Sequence, residues 1–230
     1  VQSHIQAGLT ASNPKRKMVA TACYLIDALC LRVGDEKDRD EADTVGATTL
    51  RPEHVTLHPD GEAEFEFLGK DSVLWHKKIS LPKVVYNNLA ELIENARPSD
   101  TSGNGNGAKP QIFPLVTSRS VNRFLSDVMP GLTAKVFRTH HATAVVRRTL
   151  HKADIEAQDP EYKKWQIATQ ANLEAAELCN HTKQVPAGWP DRLERMKERK
   201  KTLEERVAKR EAQLEERQAQ LEALPEEAAA

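Results

Sequence analysis

Aromatic side chains are scarce: Phe, Trp and Tyr make up 5% of the 230 residues, so the core has to be aliphatic. Cysteine is nearly missing as well. The three present, Cys23, Cys30 and Cys179, show neither CxxC nor Cys/His ligand spacing. That sets aside a disulfide framework or a zinc module and leaves buried, reduced thiols of an intracellular protein. No run of about 18 apolar residues occurs, so no membrane-spanning helix is expected, and the N-terminus lacks a signal-peptide pattern. Charge of one sign is not in surplus either: 33 Lys and Arg against 34 Asp and Glu give a net charge of -1. The basic excess typical of nucleic-acid-binding domains is therefore missing, although a local basic face is enough to attract phosphate. The chain opens on Val1 rather than Met, as expected of a fragment.

What is present is a clear change of period. Residues 18–33, "MVATACYLIDALCLRV", place Val19, Cys23, Ile26, Leu29, Cys30 and Val33 at helical spacing, with Gly34 as the expected cap. A charged loop follows. From Thr48 to Ser80 the apolar residues alternate instead, in "TTLRPEHVTLH", "EAEFEFLG" and "DSVLWHKKIS". The breaks between them, Pro59-Asp60-Gly61 and Gly69-Lys70-Asp71, are good turn chemistry, so the stretch reads as a three-stranded antiparallel meander. Helical spacing returns in "LPKVVYNNLAELIENA". The Gly/Ser/Asn-rich "RPSDTSGNGNGAKP" is a flexible linker. A short helix capped by Ser118 or Ser120 comes next, then one holding "AKVFRTHHATAVV", then a long helix ending near His181. The fold expected is mainly α with one small three-stranded antiparallel sheet. From about Asp191 the chain is charged throughout, with Val207, Leu214 and Leu221 seven residues apart. That half-seam predicts an extended coiled-coil-like arm over 191–230, after a domain over 1–190.

Four residues stand out for chemistry, and each admits a plainer role. Arg32 ends an apolar helix, where a cation suits the helix dipole. Lys70 at a hairpin turn is an ordinary solvated lysine by position. His181 caps a long helix. Arg138 is harder to set aside, because a cation near a helix start opposes the dipole and is best tolerated beside an anion. Together, two guanidiniums, an ammonium and an imidazole make a set able to grip one phosphodiester. Arginine forks match phosphate oxygens, and a lysine is able to protonate a leaving alkoxide. Spacing alone does not show that the four converge.

The stretches "LCLRVGDEKDRDEADTVGATTLRPEHV", "FLGKDS", "GLTAKVFRTHHAT" and "ELCNH" decide the family. In order and approximate spacing they resemble the core of eukaryotic-type DNA topoisomerase IB, from about residue 15 to 190, with a charged linker after it as in that family. The resemblance implies the catalytic fold shared with tyrosine recombinases. It also implies relaxation of supercoiled double-stranded DNA through a transient 3′-phosphotyrosyl bond, without ATP or a catalytic metal, in the nucleus of a eukaryote or the nucleoid of an archaeon. By matching motifs, Arg32 and Arg138 fall on the two catalytic arginines, Lys70 on the general-acid lysine and His181 on the catalytic histidine. His140 and His141 stand where nuclear relatives usually carry Tyr and Asn, which marks a divergent branch. They receive no catalytic role.

One family residue has no counterpart. The attacking tyrosine of the family follows the linker, and Tyr24, Tyr86 and Tyr162 all lie in the wrong places. The nucleophile is therefore expected on a further C-terminal segment, in cis or in trans, and the opposite jaw of the DNA clamp on an N-terminal region. Two rivals remain: a tyrosine recombinase, disfavoured by the long charged arm, and an inactive DNA-binding clamp fragment, disfavoured by retention of all four residues.

Overall fold

The computed structural model describes residues 1–34, 45–96, 110–182 and 185–222. The chain divides into two compact units, Val1–Thr182 and Lys183–Ala230. The first contains helices α1 (Gln2–Leu9), α2 (Pro14–Leu29), α3 (Lys83–Ala96), α4 (Ser118–Ser126), α5 (Lys135–Lys152) and α6 (Glu161–Leu178). Its one sheet has strands β1 (Val55–Leu57), β2 (Glu62–Leu68) and β3 (Leu74–Ser80), antiparallel in the order β1-β2-β3. The second unit holds one helix, α7 (Trp189–Glu222), which buries none of its residues.

The expected alternation is realised on β2, where Ala63, Phe65 and Phe67 are buried while Glu62, Glu64 and Glu66 face outward. The core lies beneath that inner face. Phe65 and Phe113 are fully buried with Leu25, Leu29, Leu89 and Leu125, each such side chain contributing about 1.5–3 kcal/mol relative to an exposed one. Two buried polar side chains, Thr21 and Asn88, meet within the core. Asn88 of α3 donates to the Leu9 carbonyl at 3.0 Å and to Thr21 Oγ1 at 3.3 Å, which ties α1, α2 and α3 together.

Two local expectations are corrected. The sheet begins at Val55 and not at Thr48, because residues 47–54 form two 3₁₀ turns, Ala47–Thr49 and Pro52–His54. Pro52 has no N–H to give a ladder, and the amides of Ala47 and Thr48 are already bonded to the carbonyls of Arg32 and Val33. Helix α2 ends at Leu29, with Cys30 rather than Gly34 in the left-handed cap (φ 55°). Gly34 (φ 85°) instead packs against Gly46. Helix α1 was not foreseen, and α6 stops three residues short of His181. The charged loop at 35–44 and the Gly/Ser/Asn stretch at 97–109 lie outside the described residues.

Candidate active site

Arg138 is the fourth residue of α5 and half-buried. Its Nη1 donates to the Cys30 carbonyl at 2.7 Å, and its Nη2 donates to the Cys179 carbonyl at 3.2 Å. These carbonyls belong to the capping residues of α2 and α6. Two helix C-termini, each carrying partial negative charge, thus converge on the guanidinium. That offsets the unfavourable position of a cation near the start of its own helix. Arg138 Nη2 also lies 3.1 Å from His181 Nε2. Burial lowers the guanidinium's affinity for its proton below the ordinary arginine value, and the nearby charge of Arg32 adds to the effect, against opposition from Cys179 and Cys30.

The segments that bring Arg32 and His181 here share a design. Helix α2 ends with Leu31 N–H bonded to the Ile26 carbonyl and Cys30 N–H to that of Asp27. Helix α6 ends with His181 N–H bonded to Ala176 and Asn180 N–H to Glu177. Both are Schellman closures, and both place a residue other than glycine in the left-handed region, Cys30 at φ 55° and Asn180 at φ 51°. Ser72 (φ 56°), two residues after Lys70, is the third such residue among those described. All three left-handed non-glycine residues therefore stand within two positions of Arg32, Lys70 or His181. Backbone strain of this kind clusters at functional sites.

Lys70 is exposed on the 3₁₀ turn Lys70–Ser72 that joins β2 to β3. Its contacts do not tie it directly to the Arg138 cluster, but the base of its turn is pinned from both sides. The last pair of the ladder is Leu68 with Leu74. The Leu68 carbonyl accepts from Val45 N–H at 2.7 Å, and Val45 begins the segment whose Ala47 N–H bonds the Arg32 carbonyl at 2.9 Å. The Leu74 carbonyl accepts from Asn180 Nδ2 at 3.0 Å, next to His181. Hydrogen bonds to its backbone thus link the Lys70 turn to the Arg32 segment on one side and, through the Asn180 side chain, to the His181 segment on the other.

Two contributions escaped the sequence reading. Lys77, on the inner face of β3, sits 4.8 Å over the Trp75 ring and donates to the Leu178 carbonyl at 3.4 Å. Its charge also acts on the Cys30 thiol, which burial pushes above its ordinary pKa. A lysine at an inward position of an alternating strand was the available signal. The other is His141, whose Nε2 is 2.7 Å from Asp27 Oδ1 and so braces α5 against α2 one turn beyond Arg138.

Residues 1–214 match the family described as "Eukaryotic DNA topoisomerase I, catalytic core". The chain belongs to the eukaryotic DNA topoisomerase I family. It is 38% identical over 193 residues to human "DNA topoisomerase I, mitochondrial", covering 81% of this chain and 30% of that protein. Identity to "DNA topoisomerase 1" of Schizosaccharomyces pombe is 39% over 186 residues, covering 80% and 21% of the two chains. To human "DNA topoisomerase 1" it is 39% over 179 residues, covering 75% and 22%. The chain thus spans less than a third of the length of these topoisomerase relatives. Helices with a small antiparallel sheet are the α+β architecture expected of a topoisomerase I core. Among the described residues no helix is long and apolar enough to cross a membrane.

Proposed function

We propose that this chain supplies the phosphate-activating half of a type IB DNA topoisomerase, acting with the genome on double-stranded DNA. The observation that carries the reading is the bridge made by Arg138, which gathers the Arg32 and His181 segments around one guanidinium. In the mechanism, Arg32 and Arg138 hold the non-bridging oxygens of the scissile phosphate. His181 Nε2, now paired with Arg138, exchanges that bond for one to a phosphate oxygen entering between them. A tyrosine hydroxyl from a further segment, in cis or in trans, loses its proton to water as it attacks phosphorus. The 5′-oxygen leaves with a proton from Lys70, and the strand remains attached through its 3′-phosphate until the 5′-hydroxyl returns. The positioned cations stabilise charge that builds up in the pentavalent transition state, a term worth on the order of 10²–10³ in rate per donor. An N-terminal region is assigned the opposite jaw of the clamp.

The test supplies the chain with a tyrosine-bearing family segment, fused to it or added separately. Relaxation of a supercoiled plasmid without ATP or Mg²⁺, and no strand exchange between duplexes, is the expected result. Strand exchange supports the recombinase reading, and failure to trap any covalent adduct supports an inactive clamp. Chain 1–230 by itself should form no adduct. It should bind duplex DNA with an affinity that falls as salt rises, because phosphates are what it touches.

Lys70→Ala separates the roles further. The exposed turn tolerates the change, so thermal unfolding should not move. Cleavage of an ordinary strand should slow about 10²-fold, the usual scale of a lost general acid. A substrate with a sulfur in place of the 5′-bridging oxygen leaves without a proton and should restore most of the rate. Equal slowing on both substrates removes Lys70 from the acid role.

A further inference from the structure

The outer face of the sheet, opposite the face that carries Lys77, gathers two imidazoles and two carboxylates. Glu64 and Glu66 alternate along β2 and point the same way, and His76 on β3 stands directly across from Glu66. The ligand atoms of Glu64, Glu66 and His76 all lie within 4.8 Å of one another. Glu64 Oε1 is 2.6 Å from His76 Nε2, and its other oxygen is 3.3 Å from Nε2 of His58, just past the end of β1. Lys78, directly across from Glu64, turns its ammonium to Glu62 at 2.5 Å, and its charge reaches Glu64 at longer range without an ion-pair contact. Among the described residues no ammonium or guanidinium forms an ion pair with Glu66, whose carboxylate stands beside that of Glu64 on the same strand face.

We propose that Glu64, Glu66 and His76, with His58 as a fourth donor, bind a first-row divalent cation such as Zn²⁺. The chemistry of the donors fits: imidazole nitrogen and carboxylate oxygen together suit zinc, whose bonds to them are about 2.0–2.2 Å long. Ligand atoms in such a tetrahedron are roughly 3.3 Å apart, so the separations among Glu64, Glu66 and His76 close onto an ion by small side-chain rotations on a fixed sheet, while His58, held at the other oxygen of Glu64, has to swing in. Each ligand comes from the meander itself, from β2, from β3 or from the β1–β2 connection, so the ion staples the three strands. It lies on the far side of the sheet from Arg138 and takes no part in phosphate chemistry. The site is independent of the reaction proposed above. No ligand-spacing motif marks it, because the donors are brought together by strand register.

The experiment uses the untagged chain, stripped with chelator and titrated with Co²⁺ as a spectroscopic substitute for Zn²⁺. Intense visible d–d bands of a low-coordinate site should grow to one equivalent and disappear when Zn²⁺ is added. His76→Ala and Glu66→Gln should each weaken binding about tenfold or more, on the scale that even an outer-sphere partner carries. Both side chains are exposed, so the apo variants should keep the parent's helical signal and melting temperature. His140→Ala should bind as the parent does, since the adjacent His140 and His141 are the obvious competing imidazoles. Binding left intact in His76→Ala and Glu66→Gln, binding lost in His140→Ala, or the weak spectrum of the hydrated ion alone would each overturn the site.

Discussion

Replacing Arg138 by alanine should lower the cleavage rate of the tyrosine-complete protein by about 10²-fold or more, the cost of one lost preorganised donor. The loss should exceed that of an ordinary transition-state contact, because the guanidinium also holds the site together. Without it the Cys30 and Cys179 carbonyls at the ends of α2 and α6 lose their shared partner. A buried acceptor left unmade costs about 1–3 kcal/mol, so the melting temperature should fall as well. Arg138→Lys distinguishes the two effects. A single ammonium keeps the charge but lacks the fork needed to reach both carbonyls and a phosphate oxygen together. It should recover part of the stability and little of the rate. Single-turnover cleavage and thermal unfolding, measured on the same three proteins, check the split. Full activity of Arg138→Ala removes the residue from the mechanism.

Gly46→Ala should be nearly as damaging, although residue 46 carries no chemistry. A Cβ there would lie 2.4 Å from Gly34 Cα, 2.5 Å from Gly34 N and 3.0 Å from the Arg32 carbonyl oxygen. All three are backbone atoms and cannot rotate away. Relief requires the two segments to part, at the expense of the bonds from Ala47 N–H to Arg32, Thr48 N–H to Val33 and Thr48 Oγ1 to the Gly34 carbonyl. Overpacking together with those bonds amounts to about 3 kcal/mol or more. The Arg32 segment moves with them, and a misplacement of about 1 Å costs on the order of 10²-fold in rate. Gly61→Ala is the control. Unlike Gly46, whose φ is -122°, Gly61 has a left-handed backbone (φ 87°), but nothing lies within 4 Å of its added Cβ. It should cost only about 1–2 kcal/mol of conformational strain and leave cleavage unchanged. Equal behaviour of the two variants means that close approach at Gly46 does not set the position of Arg32.

The local elements of this protein are written in its local patterns. Alternation over Glu62–Leu68 and Leu74–Ser80 fixed two strands, because period two places Phe65 and Phe67 on one face and the glutamates on the other, whatever the rest of the chain does. Turn residues placed Lys70 at a strand connection, and motifs placed Arg32, Arg138 and His181 in order along the chain. Their meeting was not legible. Arg138 and Cys30 are 108 residues apart, and Arg138 and His181 are 43 apart. The start of the sheet and the end of α2 were misjudged for a related reason: Ala47 and Thr48 bond across to Arg32 and Val33, a pairing that no short window contains. Lys77 and the His58, Glu64, Glu66 and His76 cluster show the same limit. A periodic pattern reports which side of an element a residue occupies. What stands opposite that side depends on strand register and on the packing of helix ends, and those are settled only when distant segments compete for the same core and the same backbone hydrogen bonds.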